Sequence, residues 1–154
     1  MNKKVASPPR GEVTRSESGA MAPSRAWEWL GLRLVETGEG RAVVEMTTTA
    51  DMANHSGFVH GGMISTLADT AMGRSLRTLK PGVARAMSFD LKLNFINAAK
   101  VGESLRATGH VIHAGRRTAV TECRVEGNDG RLIATASATF AVTRDKEKSE
   151  VHAD

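Results

Sequence analysis

The 154-residue chain has no tyrosine, two tryptophans, four phenylalanines and a single cysteine. So few aromatic rings leave little for stacking on bases. With 21 basic against 17 acidic side chains the net charge is only +4, mild for a nucleic-acid-binding surface. Part of the excess is terminal, where Lys3, Lys4, Arg10 and Arg15 face Glu12 and Glu17. One cysteine, Cys123, excludes an internal disulfide and fits a reducing compartment. It falls in the alternating stretch TAVTECRVE, where buried strand filler is expected rather than a nucleophile. No apolar run near the start suits a signal peptide, and none is long enough to span a bilayer. The expectation is a cytoplasmic protein with neither nucleic acid nor membrane as partner.

What is present suits one compact domain with its own core. Residues 1–22 lack apolar periodicity and are rich in Ser, Pro, Gly and charge, so they read as a disordered tail. Residues 144–154 read as a second solvated tail, leaving a domain at 23–143. Ser24 is placed to cap a short helix carrying Trp27 and Leu30. LRLVETGEGRAVVEMTTT predicts two strands around a glycine turn. Strand patterns recur at 85–97, 104–113, 118–127 and 131–143, with HAGRRT and GNDG as turns. In RAMSFDLKLNFIN, strict alternation would place Met87, Phe89, Leu91, Leu93 and Phe95 on one face of a half-buried strand. Ser88, Asp90, Lys92 and Asn94 would occupy the other. The one long helix is predicted at about 62–79 from the stripe Ile64, Leu67, Ala68, Ala71 and Met72. Arg74, Arg77 and Lys80 favour its C-terminus, and Pro81-Gly82 stops it. Two strands, a long helix and four strands give an α+β fold, an antiparallel sheet wrapped around the helix.

The chemistry concentrates in NHSGFVHGGMISTLADTAMG, residues 54–73. A merely structural glycine turn is one reading. Metal binding lacks support, because His55 and His60 do not share a helix face and no second His or Cys cluster accompanies them. A phosphate loop would require Gly-Lys-Ser/Thr. The functional reading starts from Gly61 and Gly62 at the helix start, where N–H groups lack intrahelical acceptors. The helix dipole adds roughly half a positive charge there. Such a site favours a negatively charged oxygen of the kind formed in acyl transfer. Asp69 lies eight residues on, about 12 Å along the axis at 1.5 Å per residue. One carbonyl cannot touch both, so an Asp acting there must come from another copy of the chain. Gly62, Thr66, Asp69 and Gly73 form a small face that lets a neighbour approach. The geometry asks for a dimer.

Asn54, Gly57, His60, Gly61, Gly62 and Asp69 stand in the pattern N-x2-G-x2-HGG-x6-D. With the later SFDLKLNFINAAKVGE, this resembles the PaaI-like hotdog-fold acyl-CoA thioesterases over about residues 27–143. The resemblance implies a long helix wrapped by an antiparallel sheet, homodimers with shared sites, and often homotetramers. It also implies cleavage of fatty or aromatic acyl-CoA without a metal or redox cofactor. By resemblance, Asp69 is general base or nucleophile at the partner's thioester, and Asn54 holds the attacking water or the thioester. His60 orders the loop, the Gly62 N–H polarises the carbonyl, and Ser88 helps to place the water. Gly57 and Gly61 bind the substrate. The family's CoA contacts map to Asn97 to Lys100 and to Gly115, Arg116, Arg117 and Thr118. Two adjacent arginines suit CoA phosphates. Hotdog folds also serve as acyl-CoA hydratases or dehydratases and as non-catalytic acyl-CoA sensors. Asn54 and Asp69 together favour hydrolysis.

Overall fold

The computed structural model describes residues 24–79 and 82–144. The tail expected at 1–22, residues 145–154 of the other tail, and the helix-stop residues Lys80 and Pro81 lie outside the described residues. Arg144, assigned to the tail from sequence, is instead the last residue of a strand. In chain order the elements are α1 (Arg25–Trp29), β1 (Leu32–Gly38), β2 (Arg41–Thr47), α2 (Gly61–Leu76), β3 (Val83–Phe95), β4 (Ser104–Ala114), β5 (Thr118–Gly127) and β6 (Leu132–Arg144). The strands form one antiparallel sheet in the order β1-β2-β4-β5-β6-β3. This is the α+β hotdog architecture expected.

Helix α2 is buried because its apolar residues recur at helical spacing. Ile64, Leu67, Ala68, Ala71 and Met72 all lie in the core, packed with Met46, Leu105, Val125 and Ile133 of the sheet. Truncating a fully buried leucine such as Leu67 to alanine is expected to cost about 2–5 kcal/mol. The small residues bring the helix close. A Cβ on Gly109, in the middle of β4, would lie 2.5 Å from the Ala71 carbonyl oxygen, so only glycine fits that crossing. The helix ends at Leu76, short of the expected residue 79, because the next residues tighten into i→i+3 turns. There the N–H groups of Arg77, Thr78 and Leu79 donate to the carbonyls of Arg74, Ser75 and Leu76. Ser24 caps α1 as expected, its Oγ accepting the Trp27 N–H at 3.2 Å. The Arg74 guanidinium stacks 4.5 Å above the Trp27 ring.

Strand β3 departs from its sequence pattern. Its pairing with β6 shifts register between Ser88 and Asp90, which leaves Phe89 as an extra residue in a bulge. Residues directly opposite in an antiparallel pair share a face. Leu91, Leu93 and Phe95 oppose Ala138, Ala136 and Ala134, all buried toward α2. Beyond the bulge, Ser88 opposes the buried Phe140, and Met87 opposes the exposed Ala141. The expected grouping is thus corrected: Ser88 shares the helix-facing side with Leu91, Leu93 and Phe95, while Met87 lies on the outer face with Asp90 and Lys92. The strand is also more exposed than a half-buried one. It sits at the edge of the sheet and, among the described residues, is bonded to β6 alone, with Met87 at 72% and Phe89 at 64% exposure.

Candidate active site

The loop before α2 is built around Asn54. Its Oδ1 accepts the N–H groups of Ser56 at 2.9 Å and Phe58 at 3.2 Å, the local turn that Asn side chains favour. Gly57 completes that turn at φ +81°, a conformation glycine adopts without strain. With its oxygen so engaged, Asn54 has its amide nitrogen left to donate to a substrate or water.

His60 is the N-cap of α2, and its Nδ1 accepts the Gly62 N–H at 2.9 Å. Nδ1 must therefore be unprotonated, with any ring proton on Nε2. The Gly62 N–H, expected to polarise a carbonyl, is already taken. The Met63 N–H donates to the His60 carbonyl at 2.9 Å, which leaves the Gly61 N–H without an acceptor among the described residues. Gly61, expected beside Gly62 at the helix start and as a substrate-binding residue, carries the available donor at the positive end of the helix. The Phe95 ring lies against it, its Cζ 3.0 Å from where a Cβ would stand. No larger residue fits without displacing that ring.

Asp69 lies two turns down the same helix. Its Oδ1 is buried without a hydrogen-bond partner among the described residues. A buried carboxylate oxygen lacking a donor is costly, and natural proteins keep such groups where function requires them. Gly73, one turn further on, packs beside Phe140, with the nearest ring carbon 3.7 Å from a Cβ placed there. Ser88 opposes Phe140, so the bulge places it on the helix-facing side of the sheet, the side on which Phe140 meets Gly73.

The residues expected to meet CoA fall into two groups. Asn97 to Lys100 follow Phe95, and Lys100 bridges to Phe58 of the Asn54 loop. Asn54, Gly57, His60, Gly61 and Lys100 are thereby brought together, while the Asn97 amide donates to the Leu132 carbonyl at 2.8 Å. Gly115, Arg116, Arg117 and Thr118 form the β4–β5 hairpin, closed by the Gly115 N–H donating to the Thr118 carbonyl at 2.9 Å. This hairpin lies at the far end of β4. At about 3.3 Å per residue, the eleven residues of β4 separate it from Lys100 by roughly 35 Å. A single chain does not bring the two groups to one place. Among the described residues, no cluster of His, Cys, Asp and Glu is arranged to hold a metal ion. No helix among them is long and apolar enough to cross a membrane.

Sequence reasoning missed Thr48, Glu103 and Arg131, which fix the loop at Asn97 to Lys100. Thr48 Oγ1 donates to the carbonyls of Lys100 at 3.0 Å and Glu103 at 2.9 Å. Arg131 donates to the Ala98 carbonyl at 2.6 Å and to Glu103 at 3.0 Å. The KVGE at the end of the quoted strand motif was the one available signal.

A helix N-terminus with a free N–H, an orphan carboxylate on the same helix and an antiparallel wrap define a hotdog-type acyl-transfer scaffold. The comparisons agree. The thioesterase superfamily profile matches residues 56–134, and the chain belongs to that family, as a PaaI-like hotdog thioesterase. It is 33% identical over 105 residues to the acyl-coenzyme A thioesterase PaaI of Escherichia coli, covering 68% of this chain and 73% of that one. A solved structure of E. coli PaaI superposes with a TM-score of 0.72 at 28% identity, over 80% of this chain and 86% of the other. Human acyl-coenzyme A thioesterase 13 is 32% identical over 123 residues, 78% of this chain and 87% of that one. A hypothetical thioesterase from Streptococcus pneumoniae, solved with coenzyme A, gives a TM-score of 0.69 at 25% identity, over 75% and 88% of the two chains.

Proposed function

We propose that this protein hydrolyses acyl-CoA to a free acid and CoA at sites shared between two copies of the chain. The observation that carries the reading is the orphan Oδ1 of Asp69, eight residues from the unpaired Gly61 N–H. About 12 Å of helix separates them, so they serve one thioester only if one belongs to each copy. Gly61 of one protomer then holds the carbonyl oxygen, where a preformed donor stabilises developing negative charge. The partner's Asp69 either takes a proton from water or attacks the carbonyl directly. The Asn54 amide and the Ser88 hydroxyl orient the water.

The open edge of β3 supports pairing. Its unpaired backbone groups, with Met87, Phe89 and Leu91 exposed beside them, are a liability that a second β3 would cover. A homodimer so formed is the functional unit, and two dimers joined as a homotetramer would bring a distant Arg116–Arg117 hairpin toward the CoA. The names of the E. coli and human relatives, and the CoA on the S. pneumoniae chain, support acyl-CoA as substrate. One buried, unpaired cysteine supports a cytoplasmic setting.

The direct test is complementation. Asp69→Ala and Asn54→Ala chains, each inactive, are mixed under conditions of proven subunit exchange and assayed for free thiol on short, long and aromatic acyl-CoAs. One site of each hybrid regains both groups, so activity returns. Exchange without recovery removes the shared site. A parent protein that binds acyl-CoA tightly yet turns over none of the panel is a sensor instead.

A further inference from the structure

The loop that carries Asn54 and Gly61 is not held by its own residues alone. Its stretch Phe58 to Val59 rests on the segment Ala99 to Lys100 through the Phe58–Lys100 bridge and the Val59 N–H, which donates to the Ala99 carbonyl at 3.0 Å. Phe58 in turn accepts the Asn54 N–H at 2.7 Å. The supporting segment is fixed from behind by the Thr48 hydroxyl and by the Arg131–Glu103 ion pair. Arg131, in the β5–β6 connection, donates Nη1 to the Ala98 carbonyl at 2.6 Å and Nη2 to Glu103 Oε2 at 3.0 Å. Glu103 spends its other oxygen on the Lys100 N–H at 2.8 Å. The Glu103 side chain is only 9% exposed, so its charge depends on these donors. The guanidinium suits this place, because Nη1 and Nη2, fixed in one plane, reach the carbonyl and the carboxylate from two separate nitrogens, whereas an ammonium offers its donors from a single point.

We infer that Arg131 and Glu103 are positioning residues, a clamp that sets the Ala98 to Lys100 segment and through it the placement of Asn54 and the Gly61 donor. The inference rests on the acyl-CoA reading for its kinetic consequence but not for its structural one. Displacing catalytic groups by about 1 Å from a remote position is enough to lose a hundredfold in rate.

The test uses full-length Arg131→Ala and Arg131→Lys, assayed well below their unfolding midpoints. Amide NMR gives the structural readout: the signals of Lys100, Phe58, Asn54 and Gly61 shift in Arg131→Ala, whether or not the protein turns over acyl-CoA. Kinetically, kcat falls about 10- to 100-fold, equally for acyl-CoA and for an acyl-pantetheine lacking the nucleotide. Millimolar guanidinium restores part of the Arg131→Ala rate, and ammonium at the same concentration does not. Arg131→Lys resembles Arg131→Ala. A lower melting temperature with unchanged amide shifts at Asn54 and Gly61 overturns the inference. If those shifts move but kcat holds, the clamp does not govern chemistry and the inference fails there too. A parent chain without turnover would count against the thioesterase reading, leaving the shifts to decide the clamp.

Discussion

His60 holds the N–H of Gly62 on its Nδ1 at 2.9 Å, and by doing so leaves Gly61 as the donor without an acceptor among the described residues. Histidine is an unusual N-cap; Asn, Asp and Ser are commoner because their oxygens reach the same N–H groups. His60→Asn should therefore keep both the cap and most of the activity. His60→Ala should cost about 1 kcal/mol of stability, the usual value of a lost cap. Its kcat should fall as well, because the first turn no longer presents Gly61 in one geometry. Urea unfolding and steady-state kinetics on both variants check this; an active, unstable His60→Ala would confine the residue to stability.

Asp69→Asn keeps the shape of the side chain and removes its capacity to take a proton or attack. Oδ1 has no hydrogen-bond partner among the described residues for the substitution to remove. The variant should fold and bind acyl-CoA like the parent while losing at least about a hundredfold in kcat. Circular dichroism, a binding titration and free-thiol release check the three parts. Parental turnover would end the proposed chemistry.

Arg116 and Arg117 are exposed on a hairpin whose shape does not depend on their charge. Arg144 holds it, donating Nη2 to the carbonyls of Ala114 at 3.3 Å and Gly115 at 3.0 Å. Replacing Arg116 and Arg117 with alanine should raise KM for acyl-CoA more than it lowers kcat, since a remote phosphate contact acts in ground and transition states alike. Acyl-pantetheine, which lacks the nucleotide phosphates, should be nearly indifferent. Equal losses on both substrates would assign the arginines another role.

Burial pushes the Cys123 thiol up from an ordinary 9.0 to about 12. The folded chain therefore keeps the proton that the unfolded chain gives up above pH 9. Stability from this group is fully present below pH 9 and is lost as pH rises toward 12. The chain has no tyrosine, which removes one competing titration from that window. Urea unfolding at pH 8 and pH 10.5 should show a smaller loss for Cys123→Ala than for the parent.

The long helix, the strand sequence and the Asn54-to-Asp69 motif were legible because each rests on local spacing. The Phe89 bulge was not, since β6 decides it: alternation inside β3 is unbroken, and only the pairing partner reveals the extra residue. The donor's identity was equally hidden. Gly61 and Gly62 look alike until a side chain outside the usual capping set takes one of their N–H groups. The Glu103–Arg131 pair spans 28 residues, and no periodic pattern links its members. Nor does anything local in GHVIHAG indicate that Gly109 meets a helix backbone.

That meeting of Gly109 and Ala71 has a consequence for how such a protein can change. At that crossing backbone rests on backbone, with no intervening side chain whose enlargement or shrinkage would change the contact. The spacing of Gly61 and Asp69 is locked to β4 as a ruler is pinned to a board. Adaptation to a different acyl group must then come from the rim: the loop around Phe58, the exposed end of β3 at Phe95 and Ile96, or the turns. Selection experiments for altered chain length should enrich substitutions there and leave Gly109 and Ala71 untouched.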